Sequence, residues 1–376
     1  MTASLLAADT PPIAPLLVWV FAPYIETADP NLDYYNDYSQ SRAEYERVFS
    51  ALGLEWRWEL VTMDNFEATI NRVVRDSDRY TPIVLNLCDG DELNGVPGVS
   101  VIHRMQSLGL CYTGADARFY ELTTSKIVMK TAFDAAGVST PAWEVLARDA
   151  DNDASVFTRL GAPLIVKPAV SAGSMGITIK SVVNTPAELR REVEQLYHGY
   201  RGWNLTGGGV FVESFIVGRE FTTFIIGSHD APERRRVYPP IERVFHERLP
   251  ANEQLLSFDR LWEIYERETP LGDDEYLWEY AAAPDTLMQS ISDMSWAAYV
   301  AVEGTGYGRV DLRYDPVTEQ LYVLEVNAQC GISEDEAYTS IGAILRFANG
   351  SYAQAISEIL EDALAAVPSF APSTAS

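Results

Sequence analysis

The chain of 376 residues is 47% hydrophobic and 11% aromatic, and its formal net charge at pH 7 is −26. This length favours two or three domains, and the composition is typical of a globular protein rather than a disordered one. So large a negative charge argues against nucleic acid as a partner, because too few basic residues are present to offset the repulsion between the chain and the phosphates. No apolar run is long enough to span a membrane, so we expect no membrane partner.

The three cysteines, Cys88, Cys111 and Cys330, lie far apart and form no CxxC pair. Their odd number and their spacing favour a reducing, cytoplasmic location. Residues 1–15 lack the basic residues of a signal peptide and are predicted to be a disordered leader, and residues 368–376 are predicted to be a frayed tail.

The first part of the chain alternates apolar strand patterns with helical periodicity. Strands are predicted over residues 16–21, 55–61, 82–87 and 111–114, and helices over residues 38–52, 65–75 and 98–108. This alternation predicts a doubly wound α/β domain with a parallel sheet over residues 16–122.

Two further lobes are predicted, over residues 123–216 and 217–367. The first has expected helices over 123–136 and 186–197 and strands over 141–146, 163–167, 177–183 and 210–213. The second has expected strands over 221–226, 309–314 and 321–326, a helix over 290–302 and two closing helices. Residues 230–285 show no clear period and are expected to form loops with short helices.

The strands predicted near residue 318 form a hairpin with polar residues on one face. Alternate residues of a strand share a face, and these are Arg309, Asp311, Arg313, Glu325 and Asn327. If the strands pair symmetrically about Thr318, the two carboxylates face each other, which is destabilising unless a cation lies between them. Two carboxylates and an amide suit Mg²⁺. The alternative is an edge hairpin whose polar residues face solvent.

Four lysines, Lys126, Lys130, Lys167 and Lys180, stand in a chain whose other basic residues are all arginine. Lysine is preferred over arginine where a compact ammonium must reach a phosphate oxygen. The alternative is that these lysines remain in the chain by chance. Lys167 ends a predicted strand just before the loop 173–176, which reads GSMG. Such a loop could present N–H groups to phosphates, or could be an ordinary hairpin turn.

A third segment, residues 210–216, is an apolar strand that ends in glutamate and continues into an aromatic residue. It could form a slot for adenine, with backbone groups on the base edge and apolar side chains on its face. The alternative is an ordinary core strand.

Taken together, these segments resemble the ATP-grasp superfamily and, within it, the D-alanine–D-alanine ligases. The resemblance covers about residues 82–350. Its motifs are residues 110–114, 125–126, 165–168, 173–176, 211–213, 218–222, 308–311 and 324–327, which read LCYTG, SK, IVKP, GSMG, FVE, GREFT, GRVD and LEVN. It implies three domains, with a doubly wound N-terminal sheet and two α+β lobes that sandwich ATP.

The resemblance also implies roles for individual residues. Lys126, Lys167 and the loop Gly173, Ser174 and Met175 would contact the nucleotide phosphates. Glu213, Ser214, Phe215 and Ile216 would hold adenine, and Glu220 would contact ribose. Asp311, Glu325 and Asn327 would bind two Mg²⁺ ions. Arg309, helped by the backbone near Gly331, would stabilise the tetrahedral intermediate, and Ser174 would also act in catalysis. The implied reaction activates a carboxylate as an acyl phosphate, which a small-molecule amine then attacks, and the implied assembly is a homodimer.

The chain departs from the D-alanine enzymes in the half of the site that selects substrate. Their His-Gly segment is replaced by Leu87-Cys88-Asp89-Gly90, and the serine expected before Ser174 is Gly173. Their acidic residue for the first D-alanine has no clear match near residues 33–39, and their tyrosine-lysine loop has none within residues 233–285. These departures favour a ligase that joins an amino acid to another small molecule in specialised metabolism. A true D-alanine–D-alanine ligase and a nucleotide-binding regulator without catalysis are the alternatives.

Overall fold

The computed structural model describes residues 14–26, 36–147, 155–171, 173–199, 202–262, 271, 276–336 and 339–367. The predicted tail and nearly all of the predicted leader lie outside these ranges, as does part of the stretch near residues 33–39. None of the helices in the described part of the chain combines the length and the apolar run needed to cross a bilayer.

The N-terminal part forms a parallel sheet in the order β2-β1-β3-β4. Its strands are β1 (Leu16–Pro23), β2 (Glu55–Val61), β3 (Thr81–Asn86) and β4 (Cys111–Tyr112). Its helices are α1 (Ser39–Leu52), α2 (Phe66–Asp76), α3 (Val99–Ser107) and α4 (Ala117–Thr124). The apolar run of β1 is buried almost throughout because helices cover a parallel sheet on both faces. The predicted doubly wound arrangement is confirmed.

The central part forms an antiparallel sheet in the order β5-β8-β6-β7. Its elements are α5 (Lys126–Ala136), β5 (Trp143–Leu146), α6 (Val156–Leu160), β6 (Leu164–Pro168), β7 (Val182–Val183), α7 (Pro186–Tyr197) and β8 (Val210–Ser214). Helix α7 begins where predicted because Thr185 and Glu188 form a reciprocal capping box, and Pro186 occupies the first turn.

The C-terminal part forms an antiparallel sheet in the order β12-β11-β9-β13-β14, with β10 paired to β9. Its strands are β9 (Arg219–Ile226), β10 (Arg236–Val237), β11 (Ile241–Phe245), β12 (Trp278–Ala282), β13 (Tyr307–Asp315) and β14 (Gln320–Ala328). Its helices are α8 (Phe258–Trp262), α9 (Asp285–Ala301), α10 (Ser340–Phe347) and α11 (Tyr352–Ala366). The closing helix α11 also contacts α1, β3 and β4 of the N-terminal sheet.

Several local predictions are wrong. The helix expected over residues 123–136 is two helices, because Ser125 is extended and forms a β-bridge with Val170. Residues 177–183 contain a 3₁₀ turn, Ile179–Ser181, before the short β7. The region 230–285, expected to form loops with short helices, does contain the short helix α8. It also contributes the unpredicted strands β10, β11 and β12, because β10 and β11 pair with distant β9 and β12 pairs with β11.

The fold class predicted from the sequence, an α/β chain with α+β character in its C-terminal part, is confirmed by the structure. The boundaries near residues 122 and 216 stay predictions. What positions the site is the arrangement of the three sheets around one cleft.

Candidate active site

Residues from all three sheets line a cleft of about 400 Å³. Of the residues that the sequence predicts for the site, the cleft contains Lys126, Lys167, Gly173, Ser174, Glu213, Ser214, Phe215, Ile216, Glu220, Arg309, Asp311, Glu325, Asn327 and Gly331. The exception is Met175, whose side chain is buried in the core of the central part. The structure therefore brings together in one place residues that are up to 205 positions apart in the sequence, from Lys126 to Gly331.

The hairpin of β13 and β14 has the register that the sequence predicts on the cleft side. Arg309 pairs with Asn327, and Asp311 pairs with Glu325. Beyond Asp311 the symmetric pairing fails, since Leu312 lies opposite Val323 and Leu324 is the extra residue of a bulge. The bulge leaves the two carboxylates on the same face, which is the condition for a shared cation.

The polar groups of the hairpin converge through short hydrogen bonds. Asn327 Nδ2 donates to Asp311 Oδ2 at 3.0 Å and to Glu325 Oε1 at 3.2 Å. Arg309 Nη2 lies 2.9 Å from Asp311 Oδ2, and Arg309 Nε donates to the same carboxylate. Protein donors therefore engage both carboxylates, which line the cleft together with Asn327 and Arg309.

Positive charge surrounds Glu325. Lys126 Nζ lies 3.6 Å from Glu325 Oε2 and donates to the Ser171 carbonyl at 2.9 Å. Although burial alone would raise the pKa of Glu325, the charges of Lys126, Lys167 and Arg309 and the hydrogen bond from Asn327 hold that pKa well below its ordinary value. The carboxylate is thus ionised over the physiological pH range, as a metal ligand must be.

The donor set fits Mg²⁺. Asp311, Glu325 and the amide oxygen of Asn327 are hard oxygen ligands, which Mg²⁺ prefers, and few protein ligands leave room for water and phosphate oxygens. The hydrogen bonds that Asn327 Nδ2 donates to both carboxylates show that the three side chains meet. For the amide oxygen to be a ligand, the amide must turn so that Oδ1 takes the place of Nδ2.

Glu213 lies between two lysines. Its Oε1 is 2.6 Å from Lys167 Nζ and its Oε2 is 2.5 Å from Lys130 Nζ. Lys130 is 1% exposed and also donates to Thr140 Oγ1 at 2.7 Å, whereas Lys167 reaches the cleft. Burial would raise the pKa of Glu213, but the two ammonium charges lower it. Glu213 therefore orients Lys167, and its predicted contact with adenine stays a prediction.

Glu220 lies between two arginines. Arg313 Nη2 is 2.8 Å from Glu220 Oε2, and Arg243 Nη1 contacts Oε1. The strands impose this arrangement, since both Arg243 on β11 and Arg313 on β13 pair directly with Glu220 on β9. Burial would raise the pKa of Glu220, and the arginines lower it. Both oxygens have a protein partner, and the predicted contact with ribose would use their remaining lone pairs.

The segment after β8 forms an apolar recess. Phe215 packs with Ile165, Ile177, Val182 and Leu255 in a separate small cluster. Of these five side chains, all but Val182 line the cleft. A flat apolar slot of this kind accommodates an aromatic base.

The loop before β7 turns sharply. Gly173, Ser174 and Gly176 all have positive φ, at 54°, 62° and 80°. A Cβ built on Gly176 would lie 2.5 Å from Leu205 Cδ1, so this glycine is required by space as well as by φ. Gly173 and Ser174 face the cleft beside Ser171.

Sequence reasoning missed three residues that build the site. Lys130 was noted as one of the few lysines but was given no role in the site. Its position one turn after Lys126, on the same helix face, could have indicated one. Arg313 shares a strand face with Arg309 and Asp311. Arg243 lies in the region 230–285, where no local signal identified a strand.

Comparisons with known proteins agree with this geometry. The model of the family described as "D-ala D-ala ligase C-terminus" matches residues 132–361. Protein y4sG of Sinorhizobium fredii is 28% identical over 296 residues, which are 75% of each chain. A D-alanine–D-alanine ligase of a Synechococcus species is 28% identical over 68% of this chain and 69% of its own. The crystal structure of D-alanine–D-alanine ligase from Bacillus anthracis with ATP has a TM-score of 0.63 at 18% identity, and covers 95% of this chain and 99% of that one.

The fold and the charged cleft define an ATP-grasp ligase. More narrowly, the chain belongs to the D-ala D-ala ligase C-terminus family, a family of ATP-dependent, ADP-forming ligases that make carbon–nitrogen bonds. The predicted superfamily and enzyme class are confirmed.

Proposed function

We propose that the protein joins an amino acid to another small molecule by an amide bond, through an acyl phosphate made at the expense of ATP. The observation that carries the proposal is the meeting of Asp311, Glu325 and Asn327 with Lys126 in one cleft. Anionic ligands for a cation beside an ammonium suit the transfer of a phosphoryl group, which requires positioning and charge neutralisation.

The nucleotide half of the site is proposed as follows. Lys126, Lys167 and the backbone of Gly173 and Ser174 contact the phosphates, because all four reach the cleft. The recess around Phe215 takes adenine, with backbone groups of residues 214–216 at the base edge. Part of this edge is already engaged, since the Ile216 carbonyl accepts a hydrogen bond from Arg313 at 2.8 Å.

Asp311, Glu325 and Asn327 are proposed to hold two Mg²⁺ ions, which when bound neutralise charge on the transferring phosphoryl group. Arg309 is proposed to stabilise the oxyanion of the tetrahedral intermediate, helped by Ser174 and by the backbone near Gly331. Its guanidinium is held in place by Asp311, so its orientation is set before substrate arrives.

The substrates are proposed to differ from D-alanine. The places where a D-alanine enzyme carries a histidine and a serine are occupied here by Asp89 and Gly173, and both line the cleft. The change at Asp89, beside a nucleotide half that keeps its lysines and acidic residues, supports a role in specialised metabolism, with a carboxylate and an amine as substrates.

An ADP-release screen tests the proposal. Purified protein with ATP and Mg²⁺ is given amino acids of both configurations in pairs, and each with other small carboxylates. We expect ADP and phosphate only when a matching acid and amine are both present. Glu325→Gln and Asp311→Asn should each lower kcat by roughly 10²-fold or more, because each removes a charge that neutralises the transferring group. Chelation of Mg²⁺ should abolish turnover, and its return should restore it.

Glu319→Gln is the matched control, because it makes the same charge change at an exposed position of the same hairpin. Its turnover should equal that of the parent chain. Turnover that survives Asp311→Asn and Glu325→Gln in combination would contradict the site assignment.

True D-alanine–D-alanine ligase activity is the second candidate, and the relatives that carry this name at 28% identity favour it. D-alanine alone, as both acid and amine, is therefore included in the screen. ADP release with D-alanine at a rate matching the best pair would support this candidate over the first.

Two further features stay proposals. A reducing cytoplasmic location is supported by the three cysteines, which are buried and free of disulfides. A homodimer is supported by the family resemblance, and analytical ultracentrifugation would test it.

A further inference from the structure

Asp89 is a charged residue of the cleft that the nucleotide half of the site does not use. It follows β3, at the carboxyl end of a parallel strand, which is where α/β sheets bind their ligands. Its side chain is exposed to the cleft, between the fully buried Cys88 and the buried Gly90.

The structure places the Asp89 loop beside the catalytic end of β14. Gln329 Nε2 donates to the Asn86 carbonyl at 2.6 Å, and Gln329 Oε1 accepts from the Ala115 N–H at 2.7 Å. These bonds join the end of β3 to the segment that continues into Gly331. Asp89, Gly331 and Arg309 all line the cleft that these bonds border.

The other acidic residues of the loop have local structural roles. Asp91 accepts hydrogen bonds from the backbone and the side chain of Asn94. Glu92 accepts from the N–H groups of Gly98 and Ser100, at the start of α3. Among the described residues, Asp89 has no ion pair and no side-chain hydrogen bond with another residue, so its charge is available to a ligand.

The surroundings of Asp89 favour a cationic ligand. Although Asp89 is accessible from the cleft, desolvation by the surrounding walls, and to a lesser extent the charge of Asp91, raises the pKa of Asp89 to about 6. Arg309, a cation of the same cleft, is paired with Asp311. At neutral pH the carboxylate is thus mostly ionised and lacks a counterion, and an ammonium would supply one.

We infer that Asp89 binds the ammonium group of the amine substrate and accepts its proton before the attack on the acyl phosphate. This inference rests on the proposed ligase function and assigns the amine to the Asp89 side of the cleft. It makes Asp89 a residue that binds the nucleophile in its ammonium form.

The proton and electron balance is simple. The ammonium gives one proton to the Asp89 carboxylate, which frees the nitrogen lone pair. That lone pair forms the bond to the acyl carbon, and the carbon–oxygen bond to phosphate breaks with its electron pair leaving on oxygen. The departing phosphate takes the second proton from nitrogen, and Asp89 returns its proton to solvent.

The test separates amine binding from acyl-phosphate formation. The pair that turns over in the ADP screen is assayed with Asp89→Asn and Asp89→Ser, and with Asp91→Asn as the matched control on the same loop. Hydroxylamine, which is largely uncharged at neutral pH, replaces the amine in a parallel assay that measures the hydroxamate. Hydroxamate formation reports the first half-reaction without an ammonium.

Both Asp89 variants should raise the KM for the amine by about tenfold or more, since a charge-assisted contact is lost. The KM for ATP, the KM for the carboxylate and the yield of hydroxamate should stay within about twofold of the parent values. A twofold change is smaller than the effect of losing one typical hydrogen bond. Asp91→Asn should change none of these.

Three results would overturn the inference. An unchanged KM for the amine in both Asp89 variants contradicts the inference but leaves the proposed ligase function intact. A loss of hydroxamate formation in these variants does the same, because it would place Asp89 in the first half-reaction. If no acid–amine pair releases ADP from the parent chain, the proposed function fails, and the inference fails with it.

Discussion

Three of the four lysines converge on two glutamates of the cleft. Lys130 and Lys167 hold Glu213, and Lys126 lies beside Glu325. A lysine ammonium is a compact charge on a flexible stem, whereas the broad planar fork of arginine needs more room. This is a physical reason why lysine persists at these positions in a chain that otherwise uses arginine.

Lys130 is expected to be a structural member of this group. Lys130→Met removes one of two cations from a carboxylate that is 1% exposed. Breaking a buried pair leaves an undercompensated charge, and since Lys167 remains, we expect a loss of about 3 kcal/mol in the free energy of unfolding. Urea denaturation monitored by tryptophan fluorescence measures it.

Lys180→Met is the control for this substitution, because Lys180 is exposed. Its free energy of unfolding should match the parent value within about 0.5 kcal/mol. A Lys130→Met protein as stable as the parent would show that the buried pair contributes no net stability.

At the scale of elements, the junctions between sheets decide the shape of the cleft. Gly114, after β4, has φ of 89°, and a Cβ built there would lie 1.7 Å from Gln329 Oε1. Gln329 is 2% exposed and holds both Ala115 and Asn86. A single side chain thus connects the N-terminal sheet to the end of β14.

Gly114→Ala should break this connection. The methyl group would displace the Gln329 amide, so buried polar groups would lose their partners, and the left-handed backbone would be strained as well. We expect a loss of about 3 kcal/mol in unfolding free energy and a lower kcat, because Gly331 follows Gln329 closely. Denaturation and ADP release measure the two effects.

Gly109→Ala isolates the strain. Gly109 has φ of 63° and no atom within 4 Å of a built Cβ. Gly109→Ala should therefore lower the free energy of unfolding only by the backbone strain, about 1 kcal/mol. If Gly114→Ala and Gly109→Ala lowered the free energy of unfolding equally, Gln329 would not be the side chain that connects the two sheets.

Hairpin and helix predictions succeeded where the signal was local. The pairing of Asp311 with Glu325 follows from the period of two and a short turn, and the start of α7 follows from its capping box. The break at Ser125 was not predictable from local pattern, because it depends on a bridge to distant Val170. The bulge at Leu324 lies within the hairpin itself, and the symmetric pairing expected from the sequence does not include it.

At the scale of the whole molecule, carboxyl groups whose pKa values are shifted in opposite directions have opposite effects on stability. Glu213, Glu220 and Glu325 have lowered pKa values, so the stability they contribute is present above their ordinary pKa of 4.5 and is lost as pH falls below it. Burial raises the pKa of Asp362, like that of Asp89, to about 6 from 3.8. Such groups destabilise the fold above pH 6 and cease to do so as pH falls.

Stability should therefore be greatest between about pH 4.5 and pH 6, the interval between these two sets of pKa values. Asp362→Asn should stabilise the chain by about 1 kcal/mol at pH 7.5, after allowance for partial solvent screening, and by much less at pH 5. Urea denaturation at both pH values measures the difference.

Glu361→Gln is the neighbouring control, since Glu361 is exposed on the same helix. It makes the same change in net charge, and it should have the same small effect at both pH values. A gain from Glu361→Gln equal to that from Asp362→Asn would attribute the effect to the net charge of −26 rather than to burial.

The sequence by itself determined the order of most strands and helices and the hairpin that carries Asp311, Glu325 and Asn327, because periodicity, caps and turns are local properties. It also singled out the rare lysines as candidates for the site. Only the tertiary structure decided that Glu213 and Glu220 are each held by two cations, that region 230–285 supplies strands, and that Asp89 enters the cleft. These facts depend on side chains far apart in the chain, whose meeting is set by strand pairing and packing. The use of ATP was therefore implied by the family resemblance that local motifs carry, while the proposed amine side of the site rests on the fold.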